Sequence, residues 1–305
     1  MCARLSVGRW LWQPDVVHIN VSSRLSTYRK LVICLWAKLL GYRVVLHLHG
    51  SGYDGFFARQ SGLVRRAITY GFSRADALVV LGEGWRRFAE AELGVAAQRV
   101  VRLSNATPGP VGGLNEVRKS DGLRVLFLGR VGPRKGTDVL LHAVRQAASE
   151  GGDIHLDIAG DGDLNALDMQ ISSLGLSSRV TVHGWVTSER AFALLGGTDV
   201  LVLPSLAENQ PMSIIEAFSF GHPVIATGVG AIPEMIDDGR NGWIVEVGDS
   251  TAIAKILLQL SADRKVLVEA GAAARRRWEE DYDITAHNIQ LKRIWMSTIS
   301  SEVRH

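Results

Sequence analysis

Leu203–Ile236 reads LPSLAENQPMSIIEAFSFGHPVIATGVGAIPEMI, and the punctuation of this stretch decides the fold. An apolar strand, Asp199–Leu203, runs into Pro204 and Ser205. A loop carrying Glu208 follows, then a helix that begins near Pro211 or Met212 and carries Glu216. Gly221 stops this helix, and a second buried strand, His222–Thr227, comes directly after. Strand, loop, helix, strand is a right-handed βαβ unit, and ligands of such units sit at the carboxyl ends of the strands. The helix N-terminus offers unpaired N–H groups and a positive dipole end, a seat for phosphate. A carboxylate can accept two hydrogen bonds at once, as a vicinal diol such as ribose requires. Taken alone, Glu208 and Glu216 are better explained as solvated charges beside an ordinary helix; the surrounding chain gives them meaning.

Working outward, the same alternation extends in both directions. From Leu123 the chain reads as strand 123–128, a Gly-rich loop, helix 137–149, strand 154–159, helix 164–174, strand 179–183 and helix 188–195. Beyond the quoted stretch come a strand at 242–246, helices over 250–280 and a last helix from Ile284. Before it, strands are expected at 15–20, 43–48, 77–81 and 100–103. Helices are expected at about 25–40, 61–72 and 85–93. The helix at 25–40 is expected to pack its Leu25, Tyr28, Leu31, Val32, Leu35, Trp36, Leu39 and Leu40 face on the sheet; an interfacial membrane helix is the weaker reading. Pro108, Gly109, Pro110, Gly112 and Gly113 make a linker. The expected class is α/β with two Rossmann-like lobes, residues 1–118 and 119–284, the final helix 285–305 returning to the first lobe.

Composition narrows the function classes. Cys2 and Cys34 are the only cysteines among 305 residues, so neither a disulfide framework nor a cysteine metal site is indicated. No apolar run reaches membrane-spanning length, and the first residues lack a signal-peptide pattern. A cytoplasmic protein is expected. The net charge of +3 hides an asymmetry: 16 Lys and Arg face 7 Asp and Glu up to residue 118, and 18 face 24 beyond it. The basic front half points to an anionic partner, membrane lipid or a phosphorylated acceptor. Nucleic acid is not expected, because no recognition motif for it is present.

Two glycine loops follow the first strands of the second half. Gly129-Arg130-Val-Gly-Pro-Arg-Lys135-Gly136 places two cations before a helix N-terminus, a diphosphate clamp that is neither a Walker loop nor GxGxxG. Gly160-Asp161-Gly-Asp163 offers a carboxylate pair of metal-binding appearance, but Asp163 is better explained as the N-cap of the helix from Leu164. No metal is expected.

In this order, Gly129–Gly136, Gly160–Gly162, Glu208–Glu216 and Gly228–Glu234 closely resemble the family 4 glycosyltransferases, retaining enzymes of the GT-B fold. The resemblance is collinear over residues 123–284 and weaker through Leu81–Asn105, His49-Gly50 and Pro14–Asn20. It implies that Gly129, Arg130 and Lys135 hold a donor diphosphate, with Gly160 and Asp161 beside them, and that Glu216 holds the ribose. It implies Glu208 beside the donor sugar, with the backbone of Asn209, Gln210, Pro211, Met212 and Ser213 around sugar and phosphate. His49 would reach the sugar, and the backbone of Gly184–Val186 would meet the base. The implied reaction moves a sugar from a nucleotide-diphosphate sugar to a hydroxyl acceptor with its anomeric configuration kept. The nucleotide-sugar is substrate, and no cofactor is implied. With the basic front half, the expected setting is polysaccharide or glycolipid assembly on a lipid-linked acceptor, peripheral at the inner face of an anionic membrane. Family members place a strand, a Gly-rich loop and two more βα units before the Pro-Asp-Val-Val-His pattern, which starts here at Pro14. The N-terminal lobe is therefore expected to be truncated. That departure keeps open an inactive donor-binding partner subunit, beside a sugar-nucleotide epimerase on the same scaffold.

Overall fold

The computed structural model describes residues 15–110 and 122–300. Pro14, Cys2, Gly112, Gly113 and the expected boundary at 118/119 lie outside the described residues. The chain forms two compact units: one joins the chain up to Asn105 with the segment from Thr285, the other runs from Ala106 to Ile284. The division falls before the expected linker, and the contacts explain why. Thr107 bridges to Asp283 and donates its N–H to the Tyr282 carbonyl at 3.1 Å, and Gly109 lies against the Trp278 ring. Residues 106–110 thus belong with the second unit.

The first unit is a four-stranded parallel sheet in the order β1-β2-β3-β4, with β1 Val16–Val21, β2 Arg43–Leu48, β3 Ala77–Val80 and β4 Val100–Arg102. Its helices are α1 Leu25–Leu39, α2 Tyr53–Ala58, α3 Gly62–Ser73, α4 Glu83–Ala91 and the last helix of the chain, α12 Ile284–Ser300. Five of the six residues of β2 are buried, the continuous apolar run of a strand covered on both faces. Val44, Leu46 and Leu48 face the core shared with α1 and α3, whereas Val45 packs with Val79, Leu103 and Ile294 of α12.

Helix α1 departs from expectation. It buries Thr27, Leu31, Cys34 and Ala37, while Leu25, Tyr28, Val32, Trp36 and Leu39 are exposed. Of the expected face Leu31 is buried and Leu40 packs against the core, but the buried stripe is turned away from the rest of it. Small Thr27, Cys34 and Ala37 let the helix approach, and Leu31 lies against Gly71 of α3, where a Cβ would meet it at 3.0 Å.

The second unit is a six-stranded parallel sheet in the order β10-β9-β8-β5-β6-β7. Its strands are β5 Leu123–Leu128, β6 Ile154–Ala159, β7 Val180–Gly184, β8 Val200–Leu203, β9 Val224–Thr227 and β10 Gly242–Val245. Its helices are α5 Thr137–Ser149, α6 Leu164–Ser173, α7 Ser188–Leu195, α8 Met212–Ser219, α9 Ile232–Met235, α10 Ser250–Ala262 and α11 Arg264–Asp281. Strands β8 and β9 are buried throughout, and each fully buried Leu or Ile contributes about 1.5–3 kcal/mol. The sheet order is that of a doubly wound dinucleotide fold, whose chain reverses direction of growth between β5 and β8. No helix of the described residues is long and apolar enough to cross a membrane.

Candidate functional site

The reversal leaves a crevice above the carboxyl ends of β5 and β8, where helices leave to opposite faces of the sheet. The loops that enter this crevice are held by main-chain bonds. Gly129 donates to the Ala159 carbonyl at 3.0 Å, Val131 to that of Asp161 at 2.7 Å, and Gly160 to that of Gly184 at 2.8 Å. Gly160 needs its glycine: at φ 155° a Cβ would stand 1.8 Å from the Gly129 carbonyl oxygen. Asp163 accepts from Ala166 N at 3.0 Å, so it caps α6 as its position implied.

A polar chain ties the clamp loop to the loop after β8. Lys135 Nζ lies 2.5 Å from Glu208 Oε1, with both side chains largely buried. Ser205 Oγ donates to the same oxygen at 2.7 Å, and Thr227 Oγ1 donates to the Ser205 carbonyl at 2.5 Å. Arg134 joins from the other side: its carbonyl accepts from Leu206 N at 2.9 Å and its guanidinium donates to the Ala207 carbonyl at 3.2 Å. Arg134, Ser205 and Thr227 escaped the sequence reading, because only the fold brings positions some 70 residues apart into one hydrogen-bonded row.

Glu216 sits one turn inside α8, whose first residues follow Pro211 with no side-chain cap. The leading N–H groups of this helix are therefore open to an anion. Glu216 has no ion-pair partner among the described residues, and burial pushes its carboxyl above the usual glutamate range. A raised folded-state pKa contributes stability that is full at pH below the unfolded value and is lost as pH rises through the folded one. At neutral pH the buried charge is thus a burden on the free protein. Glu216→Gln is expected to raise the melting temperature at pH 7, to raise it less at pH 4, and to weaken nucleotide binding. Scanning calorimetry at both pH values checks the sign, and a lower melting temperature at pH 7 would count against it.

These groups share one cleft of about 450 Å³. Gly129, Arg130, Lys135, Gly160, Asp161, Val186, Glu208, Pro211, Met212, Ser213 and Glu216 line it. Asn209 and Gln210 do not; both are buried, and the Asn209 carbonyl accepts from Ala231 N at 2.8 Å. Gly184 lines a different cavity, with Leu164, Asp168 and His183. Trp185 is a lining residue that the sequence reading passed over in favour of its backbone; the residue is 72% exposed.

His49 belongs to the first unit, just past β2, where its N–H donates to the Val21 carbonyl at 2.9 Å. Its ring lies 3.9 Å from that of His47, and burial holds its pKa below the usual histidine range, so it is neutral at physiological pH. His18 of β1 is half-buried: its Nδ1 accepts from Trp295 Nε1 at 3.0 Å, and its Nε2 is 3.3 Å from His47 Nδ1.

A family model described as glycosyl transferases group 1 matches residues 122–263. A glycosyl transferase 4-like domain matches residues 2–106. The chain is 33% identical over 168 residues to an amylovoran biosynthesis glycosyltransferase of Erwinia amylovora, covering 53% of this chain and 41% of the relative. It is 34% identical over 188 residues to a phosphatidyl-myo-inositol mannosyltransferase of Mycobacterium leprae, covering 60% and 49%. The chain spans about half the length of these curated relatives. In fold it is similar to the crystal structure of Anabaena HepE in complex with UDP, with TM-score 0.80 and 20% identity over 97% of this chain and 82% of that one. Successive parts of the chain thus match a glycosyl transferase 4-like domain and a group 1 glycosyl transferase domain, and the two α/β units share the fold of the UDP-bound neighbour.

Proposed function

We propose that the protein moves a sugar from a nucleotide-diphosphate sugar to a hydroxyl acceptor with retention of anomeric configuration, as a family 4 enzyme without a metal. The observation that carries this reading is the convergence of two cations, three carboxylates and an uncapped helix start on one cleft. In this reading Arg130, Lys135 and the α8 N-terminus neutralise charge growing on the departing diphosphate, the largest electrostatic demand of such a reaction. The departing phosphate takes the acceptor's proton. Glu216 accepts the ribose hydroxyls, Glu208 stands beside the sugar, and His49 acts as a neutral hydrogen-bonding imidazole. The acceptor is carried on lipid at the cytoplasmic face of an anionic membrane, in polysaccharide or glycolipid assembly.

A screen of UDP- and GDP-sugars for thermal stabilisation tests the donor, since a ligand raises the melting temperature only by binding the folded state. The UDP-bound neighbour makes UDP-sugars the first choice. Product analysis by NMR then reads the anomeric configuration; an inverted product would sink the retaining assignment, and a new nucleotide-sugar formed without acceptor would identify an epimerase. Arg130→Ala, at an exposed cleft position, is expected to leave the fold intact and to weaken nucleotide-diphosphate binding by about 1.5–3 kcal/mol. Unchanged affinity in titration calorimetry would remove Arg130 from the clamp.

A further inference from the structure

The two-residue period of neighbouring parallel strands puts Val16 and His18 of β1 and Val45 and His47 of β2 on one face of the sheet of the first unit. Helix α12 covers that face with Leu291, Ile294 and Trp295. Two histidines therefore stand in a largely apolar layer, and His47 is only 6% exposed. His49 follows just past β2, its ring 3.9 Å from that of His47 and tilted by 38°.

The hydrogen bonds of this row run one way. An indole N–H can only donate, and Trp295 Nε1 donates to His18 Nδ1 at 3.0 Å. Burial, the largest influence, holds His18 below the usual histidine range against a hydrogen bond with Asn20 that raises it. The ring is thus neutral at physiological pH, and its one proton is on Nε2, the nitrogen that Trp295 leaves free. His18 Nε2 is then the donor to His47 Nδ1 at 3.3 Å. Burial, reinforced by His49, His18 and His287, keeps His47 neutral as well, which leaves its proton on Nε2. That nitrogen is buried with no hydrogen-bond partner among the described residues. His287 is committed elsewhere, its Nδ1 donating to the Ser104 carbonyl at 2.8 Å. An unpaired N–H in a protein interior costs stability, whereas apolar side chains in place of such a row are neutral or stabilising. The row is kept at a cost to folding.

We propose that Trp295, His18 and His47 are positioning residues for His49. The bond accepted at Nδ1 stops the His47 ring from turning over, and the fixed His47 ring sets the plane of the His49 ring that lies on it. The inference rests on the reading of His49 as a neutral imidazole that hydrogen-bonds the transferred sugar, and it adds what holds that imidazole in place. A ring free to turn would present its nitrogens to the sugar only part of the time, and orientation is a large share of the rate of such a transfer. The last helix of the chain thereby acts on the site through one indole N–H.

Long-range proton–nitrogen correlation NMR of the full chain with isotope-labelled histidines is the test, because it reads which ring nitrogen carries the proton. In the wild type His18 and His47 are expected to be neutral and protonated at Nε2 alone. Trp295→Phe keeps a ring against His18 and removes the N–H. His18 and His47 are then expected to exchange between tautomers and the His49 signals to shift with them, at a little-changed melting temperature. With the nucleotide-sugar found by the thermal screen, Trp295→Phe and His47→Leu are each expected to lower kcat about tenfold and to move the KM for that substrate far less. His47→Phe, which keeps a ring against His49, is expected to recover part of the loss. Trp295 is half-buried, so Trp295→Phe carries the test if His47→Leu does not fold. His47 protonated at Nδ1, or Trp295→Phe spectra with all three histidines unmoved, overturns the relay. Tautomer exchange with kcat at the wild-type value overturns the positioning of His49. A wild type that transfers no sugar sinks the proposed function instead, and the His49 signals then decide the inference alone, unmoved signals in Trp295→Phe overturning it.

Discussion

Replacing Lys135 with alanine is expected to destabilise the second unit by about 3–5 kcal/mol and to abolish measurable nucleotide-diphosphate binding. Glu208 is 9% exposed and is held by Lys135 and Ser205. Without the ammonium group the carboxylate stays buried with one hydroxyl donor, and an uncompensated buried charge is what makes the loss of one partner so much worse than the loss of both. Urea unfolding of Lys135→Ala, Glu208→Gln and the double variant separates the terms. The double variant is expected to recover most of the stability and none of the binding. A Lys135→Ala midpoint equal to wild type would mean that the pair carries no weight in the folded protein.

Gly136→Ala is expected to be nearly as severe, by a different route. Gly136 has φ 68°, and a Cβ there would stand 2.1 Å from the Pro204 carbonyl oxygen. The left-handed backbone adds strain of about 1–3 kcal/mol, and the backbone collision adds overpacking of about 1–3 kcal/mol. Neither loop yields freely, because the clamp side is tied at Leu206 and the β8 side at Thr227. Relief would separate Lys135 from Glu208, so both the unfolding free energy and nucleotide affinity should fall. A Gly136→Ala protein with wild-type affinity would show that the clamp tolerates an open loop.

The strands and helices of the second unit were legible because each signal was local. Buried parallel strands write continuous apolar runs, Gly221 ends α8 one residue past its C-cap, and Asp163 and Asp249 sit at N-caps and accept from the third residue on. The short helix at Tyr53–Ala58 was not legible, since YDGFFA is too brief for a period to emerge. The α1 face was misread for a related reason. Periodicity finds an apolar stripe but not what lies against it, and here the neighbouring β-sheet and Gly71 accept the stripe of Thr27, Leu31, Cys34 and Ala37.

The candidate site divides the same way. Arg130 and Lys135 stood out from glycine spacing after a strand, Glu208 and Glu216 through the family resemblance, and all four line the cleft. The sequence by itself determined the alternation of strands and helices, the positions of the turns and the charged residues that follow each strand, because these depend on neighbours within one helical turn or one loop. Only the tertiary structure decided that Glu208 is paired with Lys135 while Glu216 has no ion-pair partner among the described residues, that Asn209 and Gln210 are buried, and that Trp185 opens onto the cleft. Those outcomes depend on which strands become neighbours in the sheet, and the pairing of β5 with β8 joins positions 75 residues apart, beyond the reach of any local signal.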